Sequence, residues 1–206
     1  MCCMTMILDN QIVNKYLIEV PEFVDLLPPK EELWSLRAEL LSQDQRSWDG
    51  QTWYRVRDKR IFDGISHINR DFVEGETTID PYLTVKHEGK WMRPHIDNAP
   101  GRNAVVIYPI EPNDYDIVFT DNIEEGMDKI GSDFYTRPYE DDVPYDYNVI
   151  YKHTYRCPTI LNTKHPHAVL DKRERKMLSF RIYFGNEDWE FEDVVDLYNS
   201  GNMFNE

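Results

Sequence analysis

The stretch NTKHPHAVLDKRERKMLSFRIYF, residues 162–184, decides how this 206-residue chain is read. It divides into a short strand carrying histidines, a charged turn at 171–174, and a strand over 175–184 with two-residue alternation. Lys176, Leu178, Phe180, Ile182 and Phe184 share one face; Arg175, Met177, Ser179, Arg181 and Tyr183 share the other. The first face is apolar beyond its first residue and has to pack on helices or a second sheet. The other face carries two guanidiniums. An arginine cannot shed its charge, so one that faces inward requires an anion, and no acid alternates with these two on the strand. Two readings stand for that face: arginines wetted by solvent, or a cationic wall that takes a carboxylate or phosphate ligand.

Working outward, the chain from residue 81 onward is a series of short segments rich in β-branched and aromatic residues: 82–87, 91–96, 103–110, 115–120, 147–155, 159–162, 167–170 and 175–184. Most are separated by turns too short to hold a helix. Such a series predicts a mainly β protein, a sandwich or jelly-roll barrel rather than a parallel sheet. The acidic, tyrosine-rich and proline-punctuated connection 121–146 is expected to be a long functional loop or a solvated insertion. Upstream, residues 11–20 read as a strand ended by Pro21. Residues 30–43 read as a helix, with Leu33, Leu36, Leu40 and Leu41 at helical spacing and Glu31 and Glu32 in the first turn. Within 48–76 only a strand at 52–56 is assigned. A helix over 190–198 is expected to stop at Gly201. The expected organisation is one domain, 1–206: an N-terminal strand and supporting helices in 1–80, a β core in 81–184, and a C-terminal helical segment in 185–206.

A chain of this length buries roughly 70% of its extended surface and needs no staple to fold. Three cysteines, Cys2 and Cys3 adjacent and Cys157 alone, give neither a disulfide framework nor zinc spacing, so a reducing compartment is expected. The N-terminus lacks a basic n-region, and no apolar run is long enough to span a bilayer; the protein is expected to be cytoplasmic, with no membrane partner. A net charge of −15 argues against a nucleic-acid footprint. The basic run RVRDKR at 55–60 reads as a solvated turn.

His95 and Asp97 are two apart, so on an extended segment both reach the same side. Among six histidines and 38 acids such a pair is weak evidence, and His95 alone reads as a solvated or hydrogen-bonded loop residue. A histidine from a later strand, His165 or His167, changes the count. Two imidazoles and a carboxylate on one face of an octahedron leave three positions open, which suits a non-haem Fe(II) oxygenase. A structural zinc would want four closed ligands, which the chain does not supply.

With PHIDNAPGRNAVVIYPI and PTILNTKHPHAVLDKRERKMLSFRI on either side of the strand series, the chain over 81–184 resembles the Fe(II)- and 2-oxoglutarate-dependent oxygenases. The likeness is nearest to the aspartyl/asparaginyl- and prolyl-hydroxylase-like branch, including small bacterial and phage-encoded members. The resemblance implies a double-stranded β-helix (jelly-roll, cupin-like) core with flanking helices, and hydroxylation of a C–H bond with decarboxylation of 2-oxoglutarate to succinate. It implies Fe(II) as the metal, with 2-oxoglutarate and O2 as small-molecule partners. His95 and Asp97 match the first two ligands. His167 matches the third, because the family's ligand histidine is commonly followed two places on by valine, as in His167-Ala168-Val169. His165, followed by proline, then reads as an exposed turn residue.

Arg175 matches the arginine that holds the distal carboxylate of 2-oxoglutarate, with Tyr108 a candidate to add a hydroxyl. Arg181, six residues and roughly 20 Å further along the face, cannot share that task and reads as structural or paired with an acid. Arg102 and Asn103 are candidate substrate contacts, and 121–146 a candidate lid for a cationic substrate. Asp97 argues against a halogenase, whose members carry a small residue there. The strand after His95 lacks the cosubstrate arginine common in the aspartyl-hydroxylase branch. Two other readings keep the barrel: a metal-binding, cupin-like ligand module without oxidation, and a structural jelly-roll with incidental histidines.

Overall fold

Branched and aromatic segments separated by turn residues become antiparallel strands in the computed structural model, which describes residues 15–36, 45–48, 50–73, 81–89, 92–97, 103–121, 127–130, 133–136 and 148–205. The strands are β1 (Leu17–Glu19), β2 (Gln45–Trp48), β3 (Gln51–Arg55), β4 (Tyr82–Lys86), β5 (Met92–Ile96), β6 (Asn103–Glu111), β7 (Asp116–Thr120), β8 (Met127–Ile130), β9 (Asp133–Thr136), β10 (Val149–Thr154), β11 (Thr159–Asn162), β12 (His167–Val169) and β13 (Arg175–Tyr183). Among the described residues four α-helices accompany them: α1 (Phe23–Leu26), α2 (Lys30–Ser35), α3 (Lys59–Ile65) and α4 (Phe191–Asn199).

Strand pairing defines the fold. β4 pairs with β13, β5 with β12, β6 with β11 and β7 with β10, all antiparallel. These couples are nested, first with last and second with next to last, and successive couples lie alternately in two sheets. The orders are β1-β11-β6-β13-β4-β3-β2 and β10-β7-β12-β5-β9-β8. A long hairpin folded over on itself in this way is a double-stranded β-helix, a jelly-roll. Both sheets run past the eight-strand core on the same edge, one by β3 and β2, the other by β9 and β8.

The two faces of β13 explain the layers. Leu178, Phe180 and Ile182 join Ala104, Val106 and Tyr108 of β6 against Phe23, Leu33, Ile61, Phe191, Val194 and Val195, so the helices cover the outer face of the larger sheet. Met177 belongs to a second cluster inside the barrel with Ile107, Tyr115, Ile117, Phe119, Tyr155, Leu161 and Val169. The arginine-bearing face therefore looks into the barrel, where Arg175 is buried.

Several expectations are revised. The described part of the first strand is Leu17–Glu19 and that of the N-terminal helix Lys30–Ser35; residues 11–14 and 37–43 lie outside the described residues. The unassigned stretch holds α3, capped by Asp58, whose carboxylate accepts from the Arg60 N–H at 2.8 Å. The connection 121–146 is not a plain loop: it contains the β8–β9 hairpin, and β9 adds to the edge of β5. The C-terminal helix ends before Gly201, whose φ of 75° is the left-handed conformation that a side chain would disfavour. Among the described residues no helix is long and apolar enough to cross a membrane. Cys157 is buried and forms no disulfide among the described residues.

Candidate metal centre

The position of His95 depends on an irregularity in β5. His167 lies directly opposite His95, and Val169 opposite Met92, so two steps on β12 face three on β5. Strict alternation would send Met92 and His95 to opposite faces; the extra residue brings both to the inner one. Pro94 sits in this bulge, the kind of place within a sheet that tolerates a residue with no N–H to donate. Asp97, two beyond His95, faces the same way, and its N–H donates to the Thr163 carbonyl at 3.1 Å. The ligand atoms of His95, Asp97 and His167 all lie within 4.8 Å of one another, and all three residues are buried. This group could hold a metal ion. Its imidazole rings are 4.2 Å apart between centroids, and His95 Nε2 is 3.7 Å from Asp97 Oδ1.

Hydrogen bonding sets the chemistry of these donors. His167 Nδ1 is 2.9 Å from the His165 carbonyl. A carbonyl only accepts, so Nδ1 carries the hydrogen and Nε2 keeps its lone pair for a cation. Burial, with His95 adding to it and Asp97 opposing, pushes His167 down to about 3. The ring is therefore neutral at physiological pH, the form a metal requires. On the far side of the carboxylate, Arg181 Nη2 donates to Asp97 Oδ2 at 2.9 Å. The acid expected to pair with Arg181 is thus Asp97 itself.

Arg175 has different company. It is buried, its guanidinium lies 5.0 Å over the Tyr115 ring, and its Nη2 is 3.5 Å from Met92 Sδ. Its Nε is buried without a hydrogen-bond partner, and no acid forms an ion pair with it among the described residues. Tyr115 donates to Met177 Sδ at 3.5 Å and its ring stands 4.8 Å from that of Tyr155. Burial pushes the Tyr115 hydroxyl up to about 12 and that of Tyr155 well above its usual value, with Arg175 opposing both. Both hydroxyls thus stay protonated. A charged, desolvated fork with an orphaned N–H is fitted to an anion, and a planar carboxylate matches it best.

Tyr108 does not join this pocket. It lies opposite Leu178 in the β6–β13 register and so shares the outer face with the helices, where Lys30 Nζ stands 5.4 Å from its ring. The parity of β6 points the tyrosine away from the barrel; Tyr115 and Tyr155 occupy the place foreseen for it. These two went unnoticed in the sequence, although Tyr115 lies in phase with the inward Ile117 and Phe119. His165 is not an exposed turn residue. It is half-buried, edge-on to Tyr16 at 5.0 Å, and its contribution to the cluster is its carbonyl. Asn103 opens β6 opposite Tyr183, and Arg102 lies outside the described residues.

No protein-family model matches the chain, and no curated protein matches its sequence. Solved structures give distant likenesses. HygX from Streptomyces hygroscopicus, with nickel, 2-oxoglutarate and hygromycin B bound, is 10% identical over 90% of this chain and 89% of its own, at a TM-score of 0.45. An oxidoreductase of the 2OG-Fe(II) oxygenase family from Burkholderia pseudomallei is 14% identical over 91% and 96%, at 0.47. A Pseudomonas putida prolyl-4-hydroxylase is 13% identical over 84% and 95%, at 0.45. At such low TM-scores these likenesses establish neither fold nor function, which rest on strand pairing and on side chains.

Proposed function

We propose that the chain is an Fe(II)- and 2-oxoglutarate-dependent dioxygenase that hydroxylates a C–H bond of an amino-acid, peptide or small-molecule substrate. The observation that carries the reading is the pairing of two features in one barrel: a two-histidine, one-carboxylate cluster, and a buried arginine whose Nε lacks a partner. A site for metal alone has no use for the second. Met92, which touches Arg175, is three residues from His95 on β5, roughly 10 Å at strand rise. A five-carbon diacid, with the reach of the arginine side chain, spans that separation.

His95, Asp97 and His167 would hold Fe(II), and Arg175 the distal carboxylate of 2-oxoglutarate. When bound, the metal and its cosubstrate supply the oxidising power for hydroxylation, with O2 consumed and succinate and carbon dioxide released. The chain's own share is positional. Arg181 fixes the Asp97 carboxylate, the His165 carbonyl fixes the His167 tautomer, and Phe119, Ile117 and Val169 give the barrel interior an apolar lining that disfavours water. β9 of the β8–β9 hairpin pairs with β5, Tyr135 lying opposite His95, so this hairpin borders the cluster. The acids and tyrosines in the sequence of 121–146, of which 122–126, 131–132 and 137–146 lie outside the described residues, would suit a cationic substrate such as a lysine- or arginine-containing peptide, with the segment as a lid.

Anaerobic titration with Fe(II) and 2-oxoglutarate tests the reading. A weak visible charge-transfer band is expected, followed by succinate once air is admitted. Absence of both in folded protein overturns it.

A further inference from the structure

We propose that Lys86 is a second cation for the distal carboxylate of the cosubstrate, acting beside Arg175 and setting the preference for a dicarboxylate over a monocarboxylate 2-oxo acid. This rests on the reading of Arg175 as the cosubstrate clamp.

Lys86 closes β4 directly opposite Arg175 on β13, so both side chains leave the same face of adjacent strands. Directly opposed residues have Cβ atoms about 5 Å apart, and like charges in that position repel. Burial makes the pairing worse: Lys86 is 1% exposed and Arg175 3%. The described partner of the ammonium is the Arg173 carbonyl, at a long 3.4 Å, which neutralises nothing. Asp171 is the acid whose charge reaches both cations, but Arg173 already holds it at 2.6 Å. Burial and Arg175 together depress Lys86 to about 8, so it remains mostly charged at neutral pH. Gln51, buried and opposite Lys86 on β3, brings a further polar side chain to the same face.

Two buried cations side by side are costly without an anion, and here an anion-binding arginine is one of them. The distal carboxylate of 2-oxoglutarate resolves the repulsion. A monocarboxylate 2-oxo acid, whose single carboxylate is needed at the metal end, leaves both cations unpaired. Lys86 therefore acts on selectivity as well as affinity.

The test is binding, read by calorimetry on the Fe(II)-loaded protein under anaerobic conditions, with 2-oxoglutarate and 2-oxobutyrate as probes. Lys86→Met is expected to weaken 2-oxoglutarate roughly 10- to 100-fold, the range for losing one charge-assisted hydrogen bond, and to leave 2-oxobutyrate unchanged. Lys86→Arg is expected to keep most of the affinity. The metal-free Lys86→Met protein should melt no lower than wild type, since removing a like charge relieves the pair. Wild-type 2-oxoglutarate affinity in Lys86→Met, with loss in Arg175→Met, overturns the role of Lys86 and leaves the clamp standing. Equal weakening of both acids, or a lower melting temperature, makes the lysine structural and also overturns it. Full affinity in both variants removes the clamp reading itself.

Discussion

Arg181 and Asp97 are joined across the barrel wall, with Nη2 of the arginine 2.9 Å from Oδ2 of the acid. The other carboxylate oxygen, Oδ1, is the one turned toward His95 Nε2, at 3.7 Å. The carboxylate is thus divided between a positioning partner and the cluster, and outer hydrogen bonds of this kind commonly tune metal affinity by about 10- to 100-fold. Arg181→Gln is expected to weaken Fe(II) or Mn(II) binding by that factor with an unchanged circular dichroism spectrum, and Arg181→Lys to recover part of it. Arg175→Met, on the same strand face but at the other pocket, should leave metal affinity as it is. Equal metal affinity in wild type and Arg181→Gln would contradict the positioning role.

The two histidines before β12 separate cleanly. His167 offers Nε2 to the cluster, whereas His165 offers a backbone carbonyl that any residue retains. Metal titration should therefore show binding lost in His167→Ala and preserved in His165→Ala. A His165→Ala protein that no longer binds metal would reverse the assignment.

How much of this was legible in sequence varies with the physics. Alternation marks β13, because Leu178, Phe180 and Ile182 meet the helices on one face while Ser179, Arg181 and Tyr183 on the other are only partly buried. The ligand pattern is also local: His95 and Asp97 are two apart, and His167 begins a strand. Parity on other strands is not local. Nothing near Tyr108 says that the face it shares with Ala104 and Val106 meets helices rather than the barrel. Lys86 becomes interesting only through its register with Arg175, 89 residues away in the chain. The hairpin at Met127–Ile130 and Asp133–Thr136 hides in an acidic, proline-marked segment because its strands are four residues each, too short to show a clear alternation.

His153, on the inward face of β10, introduces a pH dependence unrelated to metal. Its Nε2 is buried without a hydrogen bond, 3.7 Å from Glu19 Oε1. Burial, opposed by Asp116 and aided by Arg156, pushes it down to about 4. Between the ordinary value of about 6.5 and about 4, the unfolded chain binds this proton and the folded chain does not. Stability therefore falls as pH falls through that window, with a limiting slope of about 1.4 kcal/mol per pH unit for one group. His167 titrates over an overlapping range and adds its own slope. Urea unfolding of metal-free protein at pH 7, 6 and 5 should show the decline, and His153→Gln should remove about half of it. A pH-independent wild type would contradict the burial of both rings.

Stability and function are expected to separate in the helical layer. A Cβ built on Gly64 of α3 would lie 2.1 Å from the Leu26 carbonyl oxygen of α1, closer than any relaxed contact, and the obstacle is backbone rather than a side chain that can swing aside. Gly64→Ala must therefore push the two helices apart. Overpacking of this kind costs typically about 1–3 kcal/mol, or roughly 3–10 °C in melting temperature for a chain of this size. The strain falls on the outer cluster, where Ile61 and Ile65 of α3 pack with Phe23 and Phe180, whereas His95, Asp97 and His167 lie on the other sheet. Below its melting temperature the variant should bind metal with wild-type affinity. A variant that melts normally, or one that is stable but cannot bind metal, would break this separation of the helical layer from the barrel interior.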